Sequence, residues 1–123
     1  MSHLFPSYET SLRLKQAGAP QYDGEQYWEP GFPNATLVLA STFQHWSKAD
    51  FDECCRVFRA DETIEALKTA KYFVSIDDLT DSIKPEFNWC VTIEDVQRRR
   101  REFYGCSFVE ALAAAWIAAL EAK

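Results

Sequence analysis

Four consecutive arginines form the most strongly charged segment of the chain: Arg98, Arg99, Arg100 and Arg101. A basic run of this kind is typical of a contact with nucleic acid or with an acidic partner. On a helix the side chains would fan out in all directions, and on a strand they would divide between two faces. The alternative interpretation is a solvated run whose members pair with neighbouring acids or pack over aromatic rings. The neighbouring acids are Glu94, Asp95 and Glu102.

A second candidate surface is aromatic. Tyr22, Tyr27, Trp28 and Phe32 lie in a turn-rich stretch with polar residues between the rings. Tyrosine and tryptophan dominate binding hot spots, but the same residues also complete small cores. The sequence leaves both interpretations open, and we take Tyr27, Trp28 and Phe32 as candidate binding residues.

Side chains with nucleophilic or metal-binding chemistry are few and scattered. The two histidines, His3 and His45, and the four cysteines are scattered, and the adjacent Cys54 and Cys55 are poor chelators, so we predict no metal site. Cys–His chemistry would need His45 beside Cys54 or Cys55, and no known local signature surrounds any of them. Acidic pairs fall in the first turns of predicted helices, where the helix dipole explains them. We therefore predict no catalytic residue, no cofactor and no enzyme activity.

The charge balance disfavours nucleic acid as the main partner. The 123 residues have a net charge of −6, and outside the arginine run nine Lys and Arg face 19 Asp and Glu, which is −10. Affinity for phosphate comes from cations, so an acidic body instead suits a basic protein partner. With no signal-peptide pattern, no apolar run of membrane length and no Cys-x-x-Cys pair, we expect a cytoplasmic protein that has no membrane association.

The first half of the chain predicts a helix, a hairpin and then helical material. Ser7 and Gly18 are suitable caps for a first helix. Residues 26–28 and 36–42 indicate the two strands of a hairpin around the turn at 30–34. Residues 47–72 read as an insertion of helices, with a capping box at 50–53, helical spacing through Phe58, and Asp61 as the cap of a helix through Tyr72.

The second half alternates helix and strand signals. A capping box at 75–78 predicts a short helix through Leu79 and Ile83, and residues 87–93 indicate a strand. Residues 93–104 are open to two interpretations: local caps and i,i+4 pairs favour a helix, but the segment could also fold back as a strand on residues 87–93. Residues 107–122 predict an amphipathic helix that is capped by Ser107 and Glu110.

Both ends of the chain resemble small uncharacterised proteins of phages, prophages and related mobile elements. In these proteins a helix ending in Leu-Lys-x-x-Gly leads into an aromatic strand, as residues 14–18 and Tyr27-Trp28 do here. The second half is similar through residues 75–79 with Ile83 and through residues 110–120. The resemblance covers about half of the chain, and residues 47–72 and the arginine run depart from it. The family carries no known catalytic residues, so the resemblance implies no site.

These observations predict an α+β fold, with several helices packed on a small antiparallel sheet in a single domain, 1–123. The predicted function is that of a non-catalytic accessory protein of a phage or mobile element, which binds a host or phage protein. One form is the inhibition of a CRISPR or restriction nucleoprotein, because an acidic surface can occupy a site built for nucleic acid. The alternative is a nucleic-acid-binding module that uses Arg98–Arg101, with Trp89 or Tyr104 as stacking partners.

Overall fold

The computed structural model describes residues 5–31, 33–42, 47, 52–79 and 88–122. They form an α+β fold, as predicted, with two small antiparallel sheets rather than one. The helices are α1 (Tyr8–Ala17), α2 (Ala60–Thr69) and α3 (Phe108–Glu121). The strands are β1 (Gln26–Glu29), β2 (Thr36–Leu39), β3 (Cys55–Arg56), β4 (Phe73–Asp78), β5 (Trp89–Glu94) and β6 (Arg100–Gly105).

Helix α1 begins and ends at the residues that the sequence predicts. The Ser7 hydroxyl accepts a hydrogen bond from the Thr10 amide at 3.1 Å and so satisfies one free donor of the first turn. Gly18 closes the helix with φ at 105°, a left-handed conformation that side chains with a Cβ rarely adopt. Its amide donates to the Lys15 carbonyl at 3.1 Å. Both predicted caps are confirmed.

The first sheet has the strand order β2-β1-β3. Strands β1 and β2 form the predicted hairpin, although the second strand ends at Leu39 and a 3-10 turn, Ala40–Thr42, follows it. Strand β3 contradicts the predicted helix through Phe58. Cys55 pairs with Trp28, and the Val57 amide donates to the Gln26 carbonyl at 3.0 Å. Tertiary pairing with β1 therefore overrides the local helical spacing.

Within the described part of the predicted insertion at 47–72, α2 and Asp52 are helical, and Cys55–Arg56 is a strand. Asp50 and Phe51 of the predicted capping box lie outside the described residues. Asp61 is not the cap of α2: Arg59 precedes the helix in an extended conformation, and its amide donates to Glu62 Oε1 at 3.0 Å. The helix ends at Thr69, so Tyr72 lies beyond it.

The second sheet has the order β4-β5-β6, with β5 in the centre. The predicted strand at 87–93 is confirmed as β5, while Phe87 lies outside the described residues. The capping-box helix predicted at 75–78 is wrong, because Ser75 and Asp78 belong to β4 and face Thr92 and Trp89 across a ladder of six residue pairs. Ile83 also lies outside the described residues. A cap pattern of four residues cannot compete with such a ladder.

Residues 93–104 take the strand interpretation, and the helix that local signals favour is wrong. Strand β6 pairs antiparallel with β5 from Trp89–Gly105 to Glu94–Arg100. Asp95 and Arg99 close the turn through an amide-to-carbonyl bond of 3.1 Å, and Arg98 takes a left-handed φ of 66°. A three-residue turn with a left-handed last residue is a common hairpin connection. The sequence does not reveal this turn, because the i,i+4 charge pairs of the same residues favour a helix.

Helix α3 packs across the second sheet and forms the centre of the core. The Ser107 hydroxyl accepts from the Glu110 amide at 3.2 Å, which confirms the predicted cap. Leu112 of the helix and Val91 of β5 are fully buried in the same cluster as Leu14 and Leu67 of the other helices. Burial of one such leucine contributes roughly 1.5–3 kcal/mol. Helix α3 thus joins α1, α2 and the second sheet through a single core.

Candidate binding surfaces

A groove of about 840 Å³ lies between α2 and the C-terminal half of α3. Its floor contains an edge-to-face pair of rings, Phe58 and Trp116, whose centroids are 4.7 Å apart at 89°. Both rings are buried, which makes the floor rigid. The small side chains of Ala66 and Ala70 line the α2 side, and Leu120 lines the α3 side. We call this feature the α2–α3 groove.

The rim of the α2–α3 groove is acidic. Asp61, Glu62 and Glu65 line it along one side of α2, and Arg56 is the one cation among its described lining residues. Glu62 is neutralised by Arg56, with a nitrogen–oxygen distance of 2.9 Å, and Asp61 pairs with Arg59 at 3.4 Å. Glu65 is exposed and makes no ion pair with any described residue. The groove therefore presents an apolar floor beside one carboxylate, that of Glu65, that no described cation neutralises.

Arg56 lies at the base of the groove and connects several of the residues around it. Its guanidinium lies 4.4 Å above the Phe58 ring, and Nη1 donates to the Tyr22 carbonyl at 2.7 Å. Its backbone amide donates to Gln21 Oε1 at 2.9 Å. Because the guanidinium already contacts Glu62, the Tyr22 carbonyl and the Phe58 ring, we assign Arg56 a structural role.

The hairpin turn neutralises one of the four arginines. Asp95 Oδ1 accepts from the backbone amides of Gln97 and Arg99 at 2.9 and 3.0 Å, and Oδ2 accepts from Arg99 Nε at 3.0 Å. The bond from the Arg99 amide, with the other donors of the turn, lowers the pKa of Asp95 below its usual range. Asp95 is thus committed to the turn, as the solvated interpretation of the run anticipated.

The other arginines point in different directions. Arg100 lies opposite Glu94, on the face of the second sheet that faces away from α3. Arg101 lies opposite the buried Ile93, on the α3 side, with its guanidinium 5.2 Å above the Phe103 ring. Arg98 is exposed at the tip of the turn. The hairpin therefore collects four cations at one end of the sheet but distributes them over two faces.

The two predicted stacking partners do not share a face with each other. Trp89 lies on the α3 side and packs on Phe108 with centroids 5.5 Å apart. Tyr104 lies on the opposite face, 46% exposed, and its hydroxyl donates to Glu102 Oε2 at 2.7 Å. This hydrogen bond raises the pKa of Tyr104 to about 12. A carboxylate held against the one exposed ring of the pair disfavours a phosphate backbone at this position.

The aromatic stretch divides between core and surface. Tyr27 is 2% exposed, and its hydroxyl donates to the Gln21 carbonyl at 2.8 Å, so it is a core residue and not a binding residue. Trp28 is half-buried and donates from Nε1 to the Pro6 carbonyl at 3.1 Å. Tyr22 is 46% exposed and donates to Asp52 Oδ1 at 2.6 Å. Phe32 lies outside the described residues.

The described thiols are buried apart from one. Cys54, Cys55 and Cys90 are buried, and Cys106 is exposed. Cys55 lies in β3 and Cys54 in the bend before it, so the two adjacent thiols are not on a helix and can both be buried. His3 and His45 lie outside the described residues. Within the part of the chain that the structure describes, no three His, Cys, Asp or Glu side chains form a potential metal site.

No protein-family model matches the chain, and neither does any curated protein or solved structure. The helices among residues 5–31, 52–79 and 88–122 include none that is long and apolar enough to cross a bilayer.

The α2–α3 groove is the feature that the sequence did not reveal. Trp116 belongs to the predicted stripe of α3, and Asp61 and Glu62 read as charges that favour the first turn of a helix. Their alignment around one groove depends on the crossing of α2 over α3, which no local pattern encodes. The spacings of Glu65 from Glu62 (i,i+3) and from Asp61 (i,i+4) were the available signals for an acidic helix face.

Proposed function

We propose that this chain is a non-catalytic accessory protein of a phage or mobile element, which binds a basic segment of a partner protein in the α2–α3 groove. The observation that supports this most directly is the combination of a rigid aromatic floor with an acidic rim. An apolar side chain of the partner would contact Phe58 and Trp116, and a flanking lysine or arginine would pair with Glu65. The excess of negative charge outside the arginine run would accelerate the encounter with such a partner.

One form of this function is the inhibition of a host defence nucleoprotein of the CRISPR or restriction type. Proteins that bind nucleic acid carry clustered basic residues, and an acidic groove is complementary to those clusters. The resemblance of both chain ends to proteins of mobile elements motivates this choice of partner.

A capture experiment with matched charge variants tests the proposal. The tagged protein is incubated with host lysate at moderate salt, and the retained proteins are quantified by mass spectrometry. Glu65→Lys reverses a charge on the groove, and Glu53→Lys makes the same change at an exposed residue that is not among its lining residues. We expect a specific partner to be retained by the native chain and by Glu53→Lys, and lost with Glu65→Lys.

Thr69→Trp tests shape separately from charge. Thr69 is an exposed residue that lines the groove near the end of α2, so an indole there would fill the groove without altering charge. Loss of the same partner with Thr69→Trp supports the groove as its site. Retention of no specific protein by the native chain, or equal retention by all variants, contradicts the proposal.

The alternative function is nucleic-acid binding by Arg98–Arg101. The hairpin supports it by collecting the four cations at one end of the second sheet. Binding to single- and double-stranded DNA and RNA over a salt series separates the two functions. A steep salt dependence that disappears when all four arginines become alanine would favour the alternative.

A further inference from the structure

A smaller cleft lies under the hairpin, on the side of the second sheet that α3 covers. Its volume is about 360 Å³, and it is separate from the α2–α3 groove. One wall is formed by Arg99, Arg101 and Ile93 from the hairpin, and the other by the alanines of the last turns of α3. Alanine side chains leave room between the helix and the strands.

Among the side chains that line the cleft, positive charges outnumber negative ones. Arg99 and Arg101 are two residues apart and both line it, which places their backbones roughly 7 Å from each other. Asp95 is the one carboxylate among its described lining residues, and its two oxygens already accept three hydrogen bonds within the turn. Arg99 donates from Nε to that carboxylate, so its two terminal nitrogens remain available to donate to a ligand.

Of the two arginines that line the cleft, Arg101 is the one that Asp95 does not neutralise. It makes no ion pair with any residue that the structure describes, and the face of the Phe103 ring supports its guanidinium at 5.2 Å. Contact with a ring fixes the plane of a guanidinium while it leaves the edge nitrogens free to donate. The free edge is the part of arginine that recognises carboxylate and phosphate in a bidentate manner.

We propose that this cleft binds a single small anionic group, a phosphate or a carboxylate, between the guanidinium groups of Arg99 and Arg101. The cleft has room for such a group, whereas a nucleic-acid strand needs a groove that follows several nucleotides. This site does not depend on the proposed function of the α2–α3 groove, and the two can fail independently.

The arginine run provides its own matched controls. Arg98 and Arg100 belong to the same hairpin but do not line the cleft. Arg101→Gln, Arg98→Gln and Arg100→Gln therefore change the net charge equally, and only the first removes a proposed ligand. The probes are inorganic phosphate and, separately, acetate, each titrated at millimolar concentration and constant ionic strength. Binding is followed by NMR of the backbone amides and the arginine Nε–H groups of the ¹⁵N-labelled protein.

We expect saturable shifts that are confined to residues 93–101 and 118–122. Arg101→Gln should weaken the binding on the order of tenfold, while Arg98→Gln and Arg100→Gln should leave it within about twofold. Response to phosphate alone or to acetate alone identifies which anion the site prefers. The proposal is overturned if neither anion gives localised saturable shifts, or if all three variants weaken binding equally, which would indicate general attraction to the basic hairpin.

Discussion

The absence of a Cβ atom at Gly105 allows α3 to pack closely on the second sheet. A Cβ at this position would lie 2.9 Å from the Ala111 amide nitrogen and 3.1 Å from the Ser107 carbonyl oxygen. Both are backbone atoms at the start of α3, so they cannot rotate away. The close approach of strand and helix therefore requires glycine here.

Gly105→Ala should destabilise the fold by about 1–3 kcal/mol, because the helix must shift or the strand must bend. Urea denaturation followed by circular dichroism measures the change. Cys106→Ala alters the adjacent exposed residue and should leave the midpoint almost unchanged. An unchanged midpoint for Gly105→Ala would show that the strand and helix are not in such close contact.

The cysteines should differ sharply in reactivity. Burial raises the pKa of Cys54 to about 11 and also raises that of Cys55, so few of these thiols ionise at mildly alkaline pH. Cys106 is exposed. A disulfide reagent should therefore modify one thiol rapidly in the native protein and all four cysteines in denaturant. Cys106→Ser should abolish the rapid phase, and its persistence would place a second thiol at the surface.

At the scale of elements, the turn of the β5–β6 hairpin should lose stability in acid. The pKa of Asp95 is lowered in the folded state, so its contribution is present above the pKa of the unfolded chain and is lost as the pH falls through the folded value. Asp95→Asn should lower stability at neutral pH and reduce its loss between about pH 5 and pH 2. Urea midpoints across this range measure the effect. Glu53→Gln is the control, and an equal change in both variants would contradict the role of the turn.

Glu110 links the beginnings of α1 and α3. The sequence predicts that its carboxylate completes a capping box with Ser107, but Oε1 instead accepts from Thr10 Oγ1 at 3.0 Å and from the Ser7 amide at 3.4 Å. Its carboxylate thus lies near the positive ends of two helices. Oε2 is buried and has no partner among the described residues, so the link between α1 and α3 depends on the hydrogen bonds of Oε1.

Glu110→Ala should cost about 1–3 kcal/mol of unfolding free energy, because it leaves donors of α1 unpaired. Thr10→Val removes the opposite partner. A double-mutant cycle should give a coupling energy of at least about 0.5 kcal/mol between the two positions. Additive effects would show that Glu110 acts only within its own helix.

At the scale of the whole molecule, the sequence predicted the elements that local chemistry controls. Ser7, Gly18 and Ser107 satisfy free backbone groups at helix ends, and they do so whatever packs nearby. The sequence predicts helices at β3 and β4 and leaves β6 open between helix and strand, because these segments carry helical caps or charge pairs. Their state is decided by pairing with distant strands, as Cys55 pairs with Trp28.

The candidate sites likewise differ in whether local sequence or contacts between distant residues determine them. The dispersal of the arginines over two faces follows from strand alternation, as the strand interpretation of residues 93–104 predicts. The separation of Arg101 from Arg100 could thus be anticipated once β6 was recognised. The α2–α3 groove could not, because Phe58 and Trp116 are 58 positions apart in the chain and meet only through the core.

We propose above all that the α2–α3 groove recognises a partner protein. The most direct measurement is the affinity of the captured partner, purified, for the native chain and its variants by isothermal titration calorimetry. We predict that Glu65→Lys and Thr69→Trp weaken binding on the order of tenfold or more, while Glu53→Lys stays within about twofold. Equal affinities for all four proteins would contradict the claim.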